Sequence, residues 1–208
     1  MKFHHIGPSP TKSIFKFASP KMGRMFKLES SLEYFACFHL EYSSDVKAYI
    51  SQPGPIEYLL DGKPENFFPD FWVDSAKNST YLLEVKHSSK ISNPKFRHKF
   101  QLRRNAPALN GLQIILITER QICQNPLLNN LKLMHHYAGI SSITPLHDWI
   151  LYFVEKNGQI KIQDLIDESN YIEADIISAS VNLIANGNLK ADIHVTELGK
   201  THRQDLKR

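Results

Sequence analysis

The sequence predicts an α/β domain over residues 24–140, between an N-terminal arm (residues 1–23) and a smaller, mainly helical domain (residues 141–208). Two observations favour this class. Up to about residue 140, short apolar runs bounded by turn residues, which are typical of strands, alternate with longer segments of helical apolar spacing. After that point the apolar residues recur mostly at helical spacing, which indicates a separate domain.

Residues 1–23 contain many proline, serine and lysine residues without hydrophobic periodicity, and they predict an extended basic arm. Lys12, Lys16, Lys21 and Arg24 are interleaved along this segment and its end. Their side chains are candidates for phosphate contacts, but a solvated tail explains the same composition equally well.

The α/β domain is predicted to begin with a helix at residues 24–40, followed by three or more strands between about residues 45 and 86. The last strand, turn and strand of this region are predicted at residues 67–73, 75–79 and 80–85. A buried strand at residues 113–118 and a helix at residues 127–137 complete the predicted domain.

Pro94 opens a basic helix between these strands, since proline is favoured at the first helical position. Phe96, Phe100 and Arg103 fall on one face of this helix, whereas two further arginines fall together on another face. The pattern suits a helix that packs on a sheet with basic edges near DNA, and a solvated basic face is the competing explanation.

The C-terminal domain is predicted to contain three helices and then a hairpin, which is the order of a winged helix. The predicted segments are a helix at residues 146–154, a helix at residues 162–168, a helix with an apolar stripe at residues 172–184 and an alternating wing at residues 188–196. Asn157-Gly158 and Asn186-Gly187 end the first and third helices, because glycine is favoured just after a helix.

Composition and charge restrict the class of protein further. The 42% of hydrophobic residues suffice for a packed core, but no apolar run approaches the roughly 18 residues that span a bilayer. No signal peptide is evident, and Cys37 and Cys123 lack metal-ligand spacing, so we expect a cytoplasmic protein with buried free thiols.

Residues 1–144 carry 18 Lys and Arg against 11 Asp and Glu, whereas residues 145–208 carry 7 against 10. A basic half joined to an acidic half indicates that the first contacts nucleic acid and the second binds something else.

Three acidic residues and a lysine form the most informative motif. Asp70 follows a proline at a turn, and Glu84 and Lys86 lie two positions apart on a predicted strand, so their side chains share a face. Two carboxylates supply the hard oxygen ligands that Mg²⁺ prefers, and an ammonium beside the metal orients a water or stabilises negative charge. The Val85 carbonyl is a further candidate ligand. Glu33, on a predicted helix, would be another ligand or would hold a metal-bound water.

The same residues have an ordinary structural interpretation when each is taken alone. A Glu-x-Lys sequence on a strand is usually an exposed ion pair, and a Pro-Asp sequence is usually a turn. The order of the motifs and their place on one predicted hairpin favour the catalytic interpretation. The order of an acid, a short gap and a Glu-x-Lys sequence resembles the signature of the PD-(D/E)xK nucleases. These nucleases have a restriction-endonuclease-like fold with a mixed sheet flanked by helices.

A more specific resemblance is to TnsA, the endonuclease subunit of the heteromeric Tns-type transposases. It covers roughly residues 24–140 and follows the family's order of motifs. The matching segments are residues 26–34 (the "ES-x-x-E" helix), 45–53 (the "V-x-x-Y-x-x-Q-P" strand), 68–71, 83–86, 115–119 and 129–134. The third acidic position can be Gln in that family, whereas Glu84 is a full carboxylate here.

The resemblance implies a Mg²⁺-dependent DNA endonuclease, with Mn²⁺ as a substitute, that cuts the non-transferred strand at the 5′ ends of a transposon. It further implies a TnsB-like DDE transposase and a TnsC-like AAA+ ATPase as partners, transposon-end DNA as substrate and a bacterial, nucleoid-associated location. Two alternatives stay open: a stand-alone restriction or repair nuclease of the same fold, and a non-catalytic scaffold that bridges the transposase and the regulator.

Residues outside the catalytic motif are assigned to binding. The candidates for DNA contacts are Gln52, His87, Arg97, Arg104, Lys12 and Lys16. The third helix of the C-terminal domain carries Glu173 and Asp175 near its start and no Lys or Arg before Gly187, so phosphates would repel it. We therefore expect this domain to dock on a protein, by resemblance the TnsC-like ATPase, with Glu173 and Asp175 at the rim.

Overall fold

The chain divides into two compact units, Met1–Gln124 and Asn125–Arg208. The computed structural model describes residues 13–108, 111–139, 142–199 and 205–208. The division falls earlier than the predicted boundary at residue 140, because the helix that follows residue 126 packs against a later helix of the second unit.

The first unit is an α/β domain, as the sequence predicts. Its elements are β1 (Phe15–Ser19), β2 (Arg24–Leu28), α1 (Ser31–Tyr42), β3 (Val46–Ser51), β4 (Ile56–Leu60), β5 (Lys63–Phe67), β6 (Phe71–Ser75), β7 (Thr80–Val85), α2 (Ser88–Ile91), α3 (Pro94–Ala108), β8 (Gln113–Ile117) and α4 (Glu119–Ile122). The start of α3 at Pro94 and the predicted strands at 80–85 and 113–118 are confirmed to within a residue.

The central sheet has the strand order β3-β6-β7-β8 and is mixed. β3, β6 and β7 pair antiparallel, whereas β8 pairs parallel to β7. A parallel pair needs a long crossover connection, and the segment with α2 and α3 supplies it. The predicted mixed sheet with flanking helices is therefore confirmed, and the parallel pair brings the ends of β7 and β8 to the same edge.

A second hairpin, β4–β5, lies between β3 and β6 in the chain and packs against α3. Its two-residue turn has positive φ angles at Asp61 (51°) and Gly62 (81°), the conformation that matches the twist of antiparallel strands. Tyr58 and Phe67 of this hairpin form a buried cluster with Leu82 of β7, onto which the α3 residue Phe100 packs. The cluster attaches α3 and the hairpin to the central sheet.

The N-terminal segment differs from the prediction. β1 and β2 form an antiparallel hairpin, so the prediction of an extended arm fails for residues 15–19, and that of a helix fails for residues 24–28. The period-2 burial of Phe17, Phe26 and Leu28 against exposed neighbours explains the hairpin, because one of its faces packs on α1. Lys12, with the rest of residues 1–12, lies outside the described residues.

Lys21 is a structural residue rather than the predicted phosphate contact. Its Nζ donates hydrogen bonds of 2.8, 2.9 and 2.9 Å to the carbonyl oxygens of Leu40, Ser43 and Val46. These carbonyls include the C-terminal end of α1, where a cation is favourable. The Lys21 amide in turn donates to the buried Glu41 carboxylate at 2.6 Å, so the β1–β2 turn is tied to the end of α1.

The two cysteines differ in their surroundings. Cys37 on α1 is buried, as predicted, and burial raises the pKa of its thiol well above the usual range. Cys123 is exposed at the end of α4, contrary to the prediction of a buried thiol.

The second unit is mainly helical. Its elements are α5 (Leu127–Ala138), α6 (Pro145–Asn157), β9 (Ile160–Lys161), α7 (Ile162–Asp167), α8 (Glu173–Ala185) and β10 (Asp205–Leu206). α8 contacts α5, α6 and α7, and its buried face includes Ile176, Val181 and Ile184 of the predicted stripe. Ile172 is 71% exposed and precedes the helix, so the stripe is shorter than predicted.

The predicted wing hairpin within residues 188–196 is wrong. In that segment only Lys190 makes a strand-like bridge, and its partner is Lys207 near the C-terminus. β10, beside Lys207, pairs antiparallel with β9, which lies between α6 and α7. The strand partners are therefore far apart in the chain, which local alternation alone does not reveal.

Candidate active site

Asp70 lies directly before β6, and its side chain reaches the end of β7. Its Oδ2 accepts a hydrogen bond of 2.6 Å from the backbone N–H of Val85. Burial raises the pKa of Asp70 to about 7, the nearby Glu84 carboxylate contributes, and Lys86 and the Val85 amide oppose the shift. A carboxyl group in this state takes up a proton readily unless a cation is bound beside it.

Glu84 and Lys86 lie on the same side of the β7 end, as their spacing predicts. Lys86 Nζ is 3.0 Å from Glu84 Oε1 and 3.6 Å from Asp70 Oδ2. Burial lowers the pKa of Lys86, but the carboxylates of Asp70, Glu84 and Glu33 outweigh it, so the pKa is raised overall. The structure thus brings the two acids and the lysine of the predicted motif together, with the ammonium charged.

Glu33 is in the first turn of α1, close enough to Asp70 and Lys86 for their charges to affect its pKa. Burial raises its pKa, the Asp70 carboxylate adds to this effect, and Lys86 opposes it. Its Oε1 accepts a hydrogen bond of 2.6 Å from the Ser30 hydroxyl, and its Oε2 accepts one of 3.1 Å from the Glu29 amide. The helix cap therefore fixes the direction of this carboxylate while each oxygen keeps a lone pair for another partner.

Gln52 holds the backbone of the site. Its backbone N–H donates a hydrogen bond of 2.8 Å to the carbonyl oxygen of Asp70, next to the last residue pair of β3 and β6. Its φ of 48° lies in the left-handed region, which is uncommon for a residue with a side chain. The strained residue thus lies beside the proposed catalytic acid, as strained residues in functional sites often do. The predicted DNA contact of its side chain stays a prediction.

His87 follows Lys86 but turns toward α4 rather than toward the acids. Its Nε2 lies 3.9 Å from Glu119 Oε1, and its Nδ1 hydrogen-bonds the Ser89 hydroxyl at 2.9 Å. The Ser88 amide donates to Glu119 Oε2 at 2.7 Å, and the Ser88 hydroxyl donates to Oε1. Glu119 therefore anchors the segment after Lys86 to the end of β8.

Arg103 is a site residue that the sequence analysis did not assign. Its Nη1 lies 3.9 Å from Glu84 Oε1, and its guanidinium lies over the rings of Tyr58 and Phe67, with Cζ at 5.6 and 5.4 Å from their centroids. A signal was present in the sequence: Arg103 shares its helical face with two phenylalanines. A basic residue on an apolar face is directed toward the core, where it needs an acidic partner.

The remaining basic candidates lie away from the acids or outside the described residues. Lys16 is exposed on β1, and Arg97 is exposed on α3, where its Nε donates to the Ile91 carbonyl at 3.0 Å. Arg104, also exposed, lines a concavity between α3 and β8. The DNA contacts of these three residues stay predictions, and Lys12 lies outside the described residues.

The site has features that fit a metal ion. Glu84 Oε2 is buried and accepts no hydrogen bond from any described residue, so a ligand position is available. Within the described part of the chain, no three Asp, Glu, His or Cys side chains converge as a complete cage. Mg²⁺ does not need one, because it is commonly held by one or two carboxylates together with waters and substrate phosphates. Asp70 and Glu84 are the residues placed to supply those carboxylates.

Comparison with known families supports the interpretation of this unit. Residues 43–119 match the family described as "TnsA-like endonuclease N terminal". This segment is similar to the N-terminal domain of TnsA-like endonucleases. A search among curated proteins finds no match to the chain.

The TnsA-like segment includes every strand from β3 to β8 and ends at Glu119. It therefore contains Asp70, Glu84 and Lys86, together with Arg103. Glu33 on α1 precedes it, and the second unit follows it.

Among the described residues, no helix has the length and apolar character needed to cross a membrane.

The residues predicted for docking, Glu173 and Asp175, lie outside the TnsA-like segment. Both are exposed in the first turn of α8. The preceding residues, Tyr171 and Ile172, are 44% and 71% exposed, and Tyr171 contacts the Trp149 ring at 6.2 Å between centroids. The start of α8 therefore combines exposed apolar side chains with two carboxylates.

Proposed function

We propose that this chain is a metal-dependent DNA endonuclease that acts in Tn7-type transposition. The observation that carries the proposal is the cluster of Asp70, Glu84 and Lys86 inside a TnsA-like domain. In this cluster the lysine Nζ lies within 4 Å of an oxygen of each carboxylate. A non-catalytic scaffold would have no need of a buried pair of carboxylates with an unsatisfied oxygen, because such groups destabilise a fold unless they have a partner.

The proposed roles follow from the positions of the side chains. Asp70 and Glu84 hold Mg²⁺ or Mn²⁺, and the Val85 carbonyl is a further candidate ligand. When bound, the metal polarises a phosphodiester and lowers the pKa of water. Lys86 holds the attacking water or stabilises the charge that develops on the phosphate. Glu33, fixed by the cap of α1, orients a water at the edge of the site.

The substrate we propose is the end of a transposon, with cleavage of the non-transferred strand at its 5′ side. Lys12, Lys16, Arg97, Arg104 and Gln52 are the proposed DNA contacts. His87 is a weaker candidate, because its ring is engaged with Glu119 and Ser89. We assign recognition of the end sequence to a TnsB-like transposase, as the resemblance implies.

We assign the second unit to docking on a TnsC-like ATPase. The order helix, strand, helix, helix and returning strand in α6 to β10 supports a winged helix. The acidic start of α8, with Glu173 and Asp175, disfavours contact with phosphates and favours a protein partner that is basic at the rim.

The experiment that tests the catalytic assignment is Asp70→Ala. We expect loss of cleavage of transposon-end DNA in the presence of the TnsB-like transposase, together with loss of metal binding by the isolated chain. Asp45→Ala, which removes an exposed carboxylate from the start of the same sheet, is the matched control. A folded Asp70→Ala variant that still cuts the strand would refute the assignment.

A further inference from the structure

The two cations beside Glu84 approach the same oxygen atom. Lys86 Nζ lies 3.0 Å from Oε1, and Arg103 Nη1 lies 3.9 Å from it. The other oxygen, Oε2, is buried and has no hydrogen-bond partner among the described residues. The carboxylate therefore has one oxygen held by the protein's own cations and one oxygen left for another ligand.

Aromatic rings restrict where the Arg103 guanidinium can lie. Its Cζ is 5.6 Å from the centroid of Tyr58 and 5.4 Å from that of Phe67, and both side chains are buried. The two rings pack edge to face at 5.9 Å, and the Tyr58 hydroxyl donates to Glu65 at 2.9 Å. A planar cation gains from contact with aromatic faces, which a flexible ammonium reproduces less well.

Arg103 has few other interactions that would explain its position. Its Nε is buried and makes no hydrogen bond to a described residue, and its side chain is 23% exposed. Partial burial of a guanidinium is unfavourable unless charge and contacts compensate, and Glu84 with the two rings supplies both. The arrangement therefore serves Glu84 as well as the packing of α3.

We propose that Arg103, held by Tyr58 and Phe67, is a positioning residue that orients Glu84 so that Oε2 faces the metal. The inference rests on the function proposed above and extends it to the β4–β5 hairpin. The hairpin then acts on the site through a chain of three contacts: ring to guanidinium, guanidinium to Oε1, and the remaining oxygen to metal. Partners of this kind typically change metal affinity about 10- to 100-fold when removed.

The first test compares metal affinity in full-length variants by isothermal titration with Mn²⁺. We expect Arg103→Met to raise the Kd for Mn²⁺ by at least about tenfold, and Arg103→Lys to restore only part of the loss. Lys95→Met removes a positive charge from the exposed first turn of the same helix and should leave the Kd unchanged. Thermal melts identify any variant that has failed to fold.

The second test examines the aromatic contact. Tyr58→Leu removes the ring and should raise the Kd for Mn²⁺ as Arg103→Met does, whereas Tyr58→Phe keeps the ring and should bind like the wild type. Combining Tyr58→Leu with Arg103→Met should add little, because both changes interrupt one chain of contacts. Fully additive losses would show that the ring acts independently of Arg103 and would overturn the proposal.

Two further results separate this inference from the proposed function. If the wild type binds Mn²⁺, Asp70→Ala abolishes binding and a folded Arg103→Met variant binds normally, the inference is wrong while the metal site stands. The same holds if Arg103→Met weakens only DNA binding, since Arg103 would then be a phosphate ligand. If the wild type binds no Mn²⁺, the proposed metal-dependent function itself fails.

Discussion

Three carboxylates, those of Glu33, Asp70 and Glu84, lie around the ammonium of Lys86. Burial raises the pKa of Asp70 and of Glu33, and mutual repulsion between the acids adds to it, whereas Lys86 keeps its proton. Arg103 adds a second positive charge at Glu84. With all three acids ionised, the three negative charges exceed the two positive ones by one, and the proposed divalent cation would neutralise this excess.

The raised pKa of Asp70 predicts how stability depends on pH without metal. Between the unfolded value near about 4 and the folded value of about 7, the folded protein binds more protons than the unfolded chain. The contribution of the Asp70 carboxyl group to stability is therefore fully present below about pH 4 and falls as pH rises through about 7. We expect this fall, measured by urea unfolding in EDTA, to be roughly 2–4 kcal/mol smaller in Asp70→Asn.

Metal should reverse the same trend. The proposed Mg²⁺ would bind the ionised form of Asp70, so we expect its stabilising effect to grow as pH rises through about 7. If the wild type and Asp70→Asn lose stability in parallel with rising pH in EDTA, Asp70 does not cause the pH dependence of stability.

Lys86 is predicted to act on the reaction more than on metal binding. Lys86→Ala should lower kcat by roughly 10²–10³, as removal of a preorganised electrostatic group does, and should change the Kd for Mn²⁺ much less. Single-turnover cleavage and titration of the same variant give the two quantities. Lys77→Ala, in the exposed turn between β6 and β7, is the matched control. Loss of metal binding with Lys86→Ala would instead make the lysine a structural counter-ion.

At the scale of elements, the β1–β2 hairpin and α1 hold each other through polar contacts. Glu41 Oε2 accepts hydrogen bonds from the Ser19 hydroxyl at 2.5 Å and the Tyr49 hydroxyl at 2.6 Å. Lys21 completes the contact by capping the C-terminal end of α1, the helix whose first turn carries Glu33. The hairpin thereby fixes α1 relative to β3, and α1 presents Glu33 to the site.

Lys21→Met tests this structural role. The variant leaves three carbonyls without their shared donor, and hydrogen bonds to charged groups contribute about 1.5–3 kcal/mol each. Because water replaces part of the lost contacts, we expect the free energy of unfolding to fall by about 2–3 kcal/mol in urea denaturation. Lys27→Met, on the exposed face of β2, should change it by less than about 0.5 kcal/mol. Equal stability of the two variants would contradict the capping role.

At the scale of the whole molecule, charge follows the division of labour proposed for the two units. Residues 1–124 carry 17 Lys and Arg against 11 Asp and Glu, whereas residues 125–208 carry 8 against 10. A basic surface raises the affinity for DNA and the rate of encounter, whereas an acidic one selects against phosphates. The unit with the TnsA-like segment and the unit proposed for docking therefore suit different partners.

Charge reversal at the start of α8 tests the docking unit. Glu173→Lys with Asp175→Lys should weaken binding of the full-length chain to the TnsC-like ATPase at least about tenfold, because like charges at an interface repel. The same change at Asp45 and Glu57, which are exposed in the first unit, is the control. Biolayer interferometry with the purified ATPase measures both. A double variant that binds the ATPase normally but gains affinity for duplex DNA would indicate that this helix can face nucleic acid instead.

The sequence by itself determined the features that depend on neighbours along the chain. The spacing of Glu84 and Lys86 on a strand predicts that their side chains meet, because strand residues two apart share a face. Pro94 marks the start of α3, because proline has a fixed φ that suits the first helical position. The glycine after residue 157 marks the end of α6, because glycine permits the backbone angles that end a helix.

Only the tertiary structure decided the contacts between distant segments. Arg103 meets Glu84 because α3 packs on β4 and on β8, the neighbour of β7, and Lys21 reaches the end of α1 because the β1–β2 turn folds against it. The strand partners Lys190 and Lys207 likewise lie on opposite sides of a long connection. Local periodicity shows which face of an element is apolar, but which element covers that face depends on how the whole chain packs.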